Sequence, residues 1–178
     1  MKLDIGCGVS KRNGYLGLDI RQFPGIDIVH DLNIFPYPFE DNSINEIWLD
    51  QVLEHLKEPL KAVEEIHRIC KNGAKVNVGV PYFRSFYAVI DPTHRNMLGI
   101  HWFDYFDPAT IYHQKYRYSE STYSVRKIEF DREYKRKRIG YLHWFMIKFA
   151  NRYPHYYEVK LSHLYPLNSL TFYLTVTK

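Results

Sequence analysis

At 178 residues, with 46% hydrophobic and 25% charged side chains, the chain is long enough to bury a core and too apolar to be disordered. A formal charge of +4 is too small to point by itself to a nucleic-acid partner. Two cysteines, Cys7 and Cys70, exclude a disulfide framework and fit a reducing, cytoplasmic setting.

Residues 1–20 lack a signal-peptide pattern, because Asp4 and two glycines break the first apolar residues. The longest apolar run, 139–150, contains His143 and Lys148 and is too short to span a bilayer. The first strand is expected at 3–5, the second at 15–20 and the third at 26–30, IDIVH. Residues 34–43, IFPYPFEDNS, hold two prolines and a turn signal and read as loop. EIWLD, 46–50, is a fourth strand. PLKAVEEIHRIC, 59–70, sets Leu60, Val63, Ile66 and Cys70 at helical spacing behind a proline, with Asn72-Gly73 as a stop. KVNVGV, 75–80, is a fifth strand, and residues 123–130 and 170–177 are a sixth and a seventh.

Strands alternating with a helix predict an α/β sheet. Its early connections are short: nine residues, 6–14, then five, 21–25. A parallel neighbour usually needs a crossover of a dozen residues or more. Five residues extend to roughly 17 Å, about the length of a strand, so the second return has room only for nearly straight chain.

LDIGCG places two glycines at a strand end, where backbone can approach a ligand closely. Asp19 ends the next strand in GLDI, where a carboxylate can accept both hydroxyls of a ribose. Two glycines and an acid also describe an ordinary tight turn. A dinucleotide fingerprint would need a third glycine at Lys11 and an acid about 20 residues on, and has neither.

Taken together, LDIGCG, GLDI, HDLNIFPYPFEDNSINEIWLDQVLEHL and EEIHRICKNGAKVNVGVPY resemble the class I S-adenosylmethionine-dependent methyltransferases, methyltransferase type 11 in particular. The resemblance covers residues 2–82. It implies a single Rossmann-like domain over 1–178, mostly parallel with an antiparallel last strand; the short early connections depart from the family and leave only shortened helices between the first three strands. Within it, 1–82 is the cofactor-binding half, about 82–122 the insert that covers the acceptor, and 123–178 the closing strands and helix. Carried over, Asp4, Gly6, Cys7 and Gly8 match the glycine loop around the methionine part and ribose of S-adenosylmethionine. Asp19 matches the ribose acid, Asp31 and Leu32 the pair beside the adenine, and Asp50 the position at the methionine end. S-Adenosylhomocysteine would be the product. Ser10 stands where the family has its third loop glycine.

Methyl transfer is an in-line displacement that chiefly demands alignment, and an oxygen acceptor also calls for a base. Tyr82, Phe83, Trp102 and Tyr105 are the expected acceptor contacts, since open α/β sheets bind ligands at the strands' carboxyl ends. His94 is the first choice of base and His101 the second, because imidazole titrates near neutrality. For each histidine alone, a loop residue satisfied by backbone is the blander reading. His55 and Glu54, in LEHL, read as structural. No His/Cys/Asp/Glu spacing suggests a metal.

Residues 135–153, KRKRIGYLHWFMIKFANRY, are read as a core helix with a solvated basic start. An interfacial helix on anionic lipid, through 135–150, is the alternative. The expected partner is a small-molecule acceptor, with no nucleic acid. The uncovered early strands leave room for a homodimer. Two rival functions stand beside methyl transfer. One is a degenerate member that binds the cofactor or its product and engages a partner without turnover. The other is an NAD-dependent oxidoreductase, which shares the strand–glycine–acid pattern but not the later motifs.

Overall fold

Seven strands, from two to twelve residues long, pair into one sheet. The computed structural model describes residues 1–134 and 139–178; the basic run 135–138 lies outside the described residues. The strands are β1 (Lys2–Ile5), β2 (Leu16–Asp19), β3 (Ile28–Val29), β4 (Ile44–Asp50), β5 (Cys70–Pro81), β6 (Thr122–Phe130) and β7 (Ser169–Thr177). Their order is β3-β2-β1-β4-β5-β7-β6, with β7 antiparallel to both of its neighbours and the other pairs parallel.

Register aligns one apolar face across four strands. Leu3 sits beside Ile47, Ile47 beside Val76, and Val76 beside Leu174. All four are buried, as are Ile5, Leu49, Val78 and Phe172 one pleat along. The opposite face carries Asp4, Glu46, Trp48, Asp50, Lys75 and Tyr173, as the period-two alternation of a strand requires. Lys2 pairs with Glu46 there at 3.0 Å.

Where shortened helices are expected between the first three strands, the chain makes only turns. The first connection closes on itself through the Ser10 N–H to the Cys7 carbonyl at 3.0 Å and lies flat against β2. Gly17 permits this. A β-carbon there would stand 2.6 Å from Cδ of Lys11 and 2.9 Å from Sγ of Cys7.

Helix α1 (Pro59–Ile69) starts at a proline, whose missing N–H costs nothing in the first turn. It buries Ala62, Val63, Ile66 and Ile69, whereas Leu60, expected on the same stripe, is 44% exposed. Arg68, in its last turn, reaches back across the 34–43 loop. Its Nη2 donates to Glu65 at 2.8 Å and to the Tyr37 carbonyl at 3.1 Å, and its Nη1 to the Phe39 carbonyl at 3.0 Å.

The insert after β5, aperiodic in sequence, folds as α2 (Phe86–Ile90), a 3-10 turn at Trp102–Phe106 and α3 (Ile111–Tyr116). Ser85 and Thr110 cap the two helices. Between β6 and β7 lies α4 (Tyr141–Arg152). It buries Ile147 and Ala150 but leaves Tyr141, Leu142 and Phe145 exposed, so core packing accounts for only part of its apolar surface. Among the described residues, no helix is long and apolar enough to cross a membrane.

Candidate functional site

The parallel strands end together, and the chain leaving each one builds the site. After β1 the backbone turns left-handed at Gly6 (φ 64°), where a β-carbon would overlap Val52. Gly8 follows, also left-handed (φ 52°), and its N–H donates to Oδ2 of Asp19 at 2.9 Å. The Arg21 N–H donates to the other Asp19 oxygen at 3.0 Å.

Asp4 is wholly buried. It accepts from the Arg12 N–H at 2.8 Å and from Nη1 of Arg12 at 2.6 Å. Nη2 of Arg12 continues to Asp50 at 3.0 Å, and Arg132, just beyond β6, donates to the same Asp50 oxygen. Both guanidinium groups lie over the Trp48 ring, 4.4 and 4.7 Å from its centroid. Gly79 makes room for the Asp50 carboxylate, which a β-carbon would strike.

Two cavities open here. The wider one, about 630 Å³, is lined by Asp4, Gly6, Cys7, Arg12 and Asp50 from the early strands, and by Tyr87, Arg132, Tyr134, Asn168 and Thr171 from the later ones. The narrower one, about 240 Å³, is lined by Asp19, His30, Asp31, Leu32, Asn33 and His55. Gly6 and Gln51 line both, so the two form one groove across the ends of β1 and β4. In the narrow part, Asn33 holds the Asp31 carboxyl below the usual carboxylate range through its backbone N–H and side-chain amide, both at 2.9 Å. In the wide part, burial pushes the Cys7 thiol up, and Asp4 and Asp19 add to it, which leaves it a poor nucleophile.

The expected cofactor residues are thus gathered at one groove. Asp4, Gly6, Cys7 and Asp50 line its wide end, Asp19, Asp31 and Leu32 its narrow end, and Gly8 is tied to Asp19. The expected acceptor contacts line neither cavity. Tyr82 is wholly buried, with the Phe83 and Phe130 rings at 4.9 and 5.1 Å. Trp102 packs on Phe103 at 4.7 Å, and Tyr105 stacks on Tyr118 at 5.3 Å. His101 is held between Asp104 (2.6 Å) and His155 (3.1 Å). His94 lies against His55, their rings 4.6 Å apart.

Sequence reasoning passes over Gln51, Arg12 and Arg132. Gln51 adopts a left-handed φ of 57° at the end of β4, a conformation its residue type does not advertise. Arg132 reaches Asp50 from 82 residues away, and nothing in the spacing links them.

Residues 3–78 match the family model described as a methyltransferase domain. No curated protein matches the chain. Three solved structures share its fold. A SAM-dependent methyltransferase from Archaeoglobus fulgidus superposes with a TM-score of 0.62 at 16% identity, covering 98% of this chain and 85% of that one. The YcgJ protein from Bacillus subtilis gives 0.57 at 15%, covering 99% and 91%. The [4+2]-cyclase SpnF gives 0.58 at 18%, covering 99% and 74%. Residues 3–78 are thus similar in sequence to a methyltransferase domain, and nearly the whole chain shares its fold with these solved structures.

Proposed function

We propose that the groove binds S-adenosylmethionine, and that the chain transfers its methyl group to a small-molecule acceptor entering the wide end. The observation that carries this reading is the continuity of the two cavities through Gly6 and Gln51. It sets a slot of adenosine size beside a roomier, charged chamber.

The donor set suits that ligand. On this reading Asp19 accepts from the ribose hydroxyls and Asp31 with Leu32 meets the adenine; all three line the narrow cavity, which supports the assignment. Arg12, spanning Asp4 and Asp50, offers both signs of charge to a zwitterionic amino-acid tail. The left-handed Gly6 keeps side-chain atoms out of the passage between the two halves.

When bound, the cofactor supplies an electrophilic methyl group on a sulfonium. The chain's own part is to bind, align and exclude water. Arg132, Tyr134 and Asn168 close the chamber opposite the glycine loop and are the residues an acceptor would meet. No base is assigned, since His101 is committed to Asp104 and His155, and His94 to the His55 cluster.

A second reading is favoured by one observation. The protein's own pairs, Gly8 to Asp19 and Arg12 to Asp4 and Asp50, already satisfy the groups a cofactor would use. That suits a chain that binds the cofactor or its product weakly and engages a partner instead. The first reading expects calorimetric binding of S-adenosylmethionine and S-adenosylhomocysteine that Asp19→Ala abolishes, and release of labelled methyl to an acceptor from a small-molecule panel. Binding without turnover favours the second reading, and no binding by either ligand defeats both.

A further inference from the structure

Beyond β4 the chain makes a 3-10 turn, Leu53–His55, against which the insert is stitched. The Arg95 and Asn96 N–H groups donate to the Glu54 carbonyl at 2.8 and 3.1 Å, and Nδ2 of Asn96 donates to the Leu56 carbonyl at 2.7 Å. This brings His94 to Glu54 and His55, 39 residues away from the latter in sequence.

The Glu54 side chain is 1% exposed, and neither of its carboxylate oxygens has a hydrogen-bond partner. Such a group is costly to leave uncompensated. Nε2 of His94 lies 4.0 Å from Oε1 of Glu54, and one ligand-capable atom from each of Glu54, His55 and His94 falls within 4.8 Å of the others.

The hydrogen bonds on the far sides of the two rings decide which nitrogens are free. Nδ1 of His94 is 3.1 Å from the Ala88 carbonyl, which can only accept, so Nδ1 carries the proton. Nδ1 of His55 is 2.9 Å from Oγ1 of Thr93, whose own hydrogen goes to Asp91 at 2.6 Å. Thr93 therefore accepts from His55, and that Nδ1 carries the proton as well. Both rings are left with lone pairs on Nε2. Metal-ligating histidines are held by the same outer arrangement, a ring N–H given to a carbonyl or another fixed acceptor.

We propose that Glu54, His55 and His94 bind one divalent transition-metal ion of the zinc class, through a carboxylate oxygen and the two Nε2 atoms, at the wall of the groove. Two imidazoles and one carboxylate suit zinc, cobalt or nickel, whereas magnesium and calcium demand oxygen donors. Donors around a tetrahedral zinc stand roughly 3.3 Å apart, given bond lengths near 2.0 Å, so the three, within 4.8 Å of one another without the ion, draw closer on binding it. Three protein ligands leave a further position for water. His55 lines the narrow cavity, so the ion clamps the 91–96 segment against one wall of the groove. Sequence spacing gives no hint of this, because the third ligand arrives from beyond β5.

The site stands on its own geometry, independent of cofactor binding, and its test needs no turnover. The full chain, stripped with a chelator and dialysed, is titrated with Zn²⁺ against a chromophoric competitor and separately with Co²⁺, read by visible absorption. One equivalent is expected to bind, with intense d–d bands for Co²⁺ and no competition from Mg²⁺. Glu54→Gln, a near-isosteric neutral change, and His94→Ala each weaken binding about a hundredfold or more. The paired control His101→Ala with His155→Ala leaves it unchanged. Circular dichroism establishes that each variant is folded. Stoichiometry well below one, equal affinity in wild type and Glu54→Gln, or loss of binding in the control pair would each overturn the proposal.

Discussion

Gly6 and Gly8 carry the same left-handed backbone but differ in surroundings. A methyl group at Gly6 meets Val52, whereas nothing stands within 4 Å of one at Gly8. Gly6→Ala adds a clash to the backbone penalty and is expected to cost about 2–4 kcal/mol in urea unfolding, against about 1 kcal/mol for Gly8→Ala. It also narrows the groove, so S-adenosylhomocysteine binding should fall in Gly6→Ala and survive better in Gly8→Ala. Equal losses in both variants would mean that the Val52 contact is unimportant. These glycines and Asp19 are legible in sequence because their chemistry is local: a strand end, a turn, an acid on the next strand. Arg12, Gln51 and Arg132 are not legible, since their roles depend on which strand ends lie side by side.

At the scale of elements, the joint between the 34–43 loop and α1 rests on Arg68, which pairs with Glu65 in its own helix and with Asp41 in the loop and donates to two loop carbonyls. Arg68 holds the Glu65 carboxyl below its ordinary 4.5, against the opposing effect of burial, and Glu65 accepts the Tyr37 N–H at 2.9 Å. A depressed carboxylate contributes stability that is present above its unfolded value and lost as pH falls through its folded one. Glu65→Gln is therefore expected to cost about 1–2 kcal/mol at neutral pH, allowing for partial exposure, and progressively less below pH 4.5. A deficit that stays constant down to pH 3 would rule out this source. Arg68→Met removes the bonds to the Tyr37 and Phe39 carbonyls too and should be the more damaging change. The loop itself is readable from its prolines and turn residues. Its anchor is not, because Arg68 looks like any solvated last-turn cation until the helix is set against the loop.

For the whole molecule, β7 joins the parallel half to the remaining edge by pairing with both β5 and β6. It contributes Leu170, Phe172, Leu174 and Val176, all buried. Burying each such side chain contributes about 1.5–3 kcal/mol, so their sum rivals the ~5–15 kcal/mol stability of a typical domain. A chain ending before Ser169 is expected to show no cooperative thermal transition, and a sharp melt would show that the parallel half folds alone. The seven strands are legible as apolar runs between turn signals, the fifth from its alternation as well, and the parallel order from the resemblance to a known fold. The insert is not, because its aromatic residues follow no period and take their places only by packing on the sheet and on one another.

The placement of Trp48 makes the protein its own optical instrument. Its indole lies under the guanidinium of Arg12, and that guanidinium also spans two carboxylates of the groove. A molecule that draws Arg12 away to pair with its own charge changes the polarity felt by the ring. Occupancy of the groove is then visible as a shift in intrinsic emission without any label, and Trp48→Phe erases the signal while Trp102 and Trp144 still fluoresce.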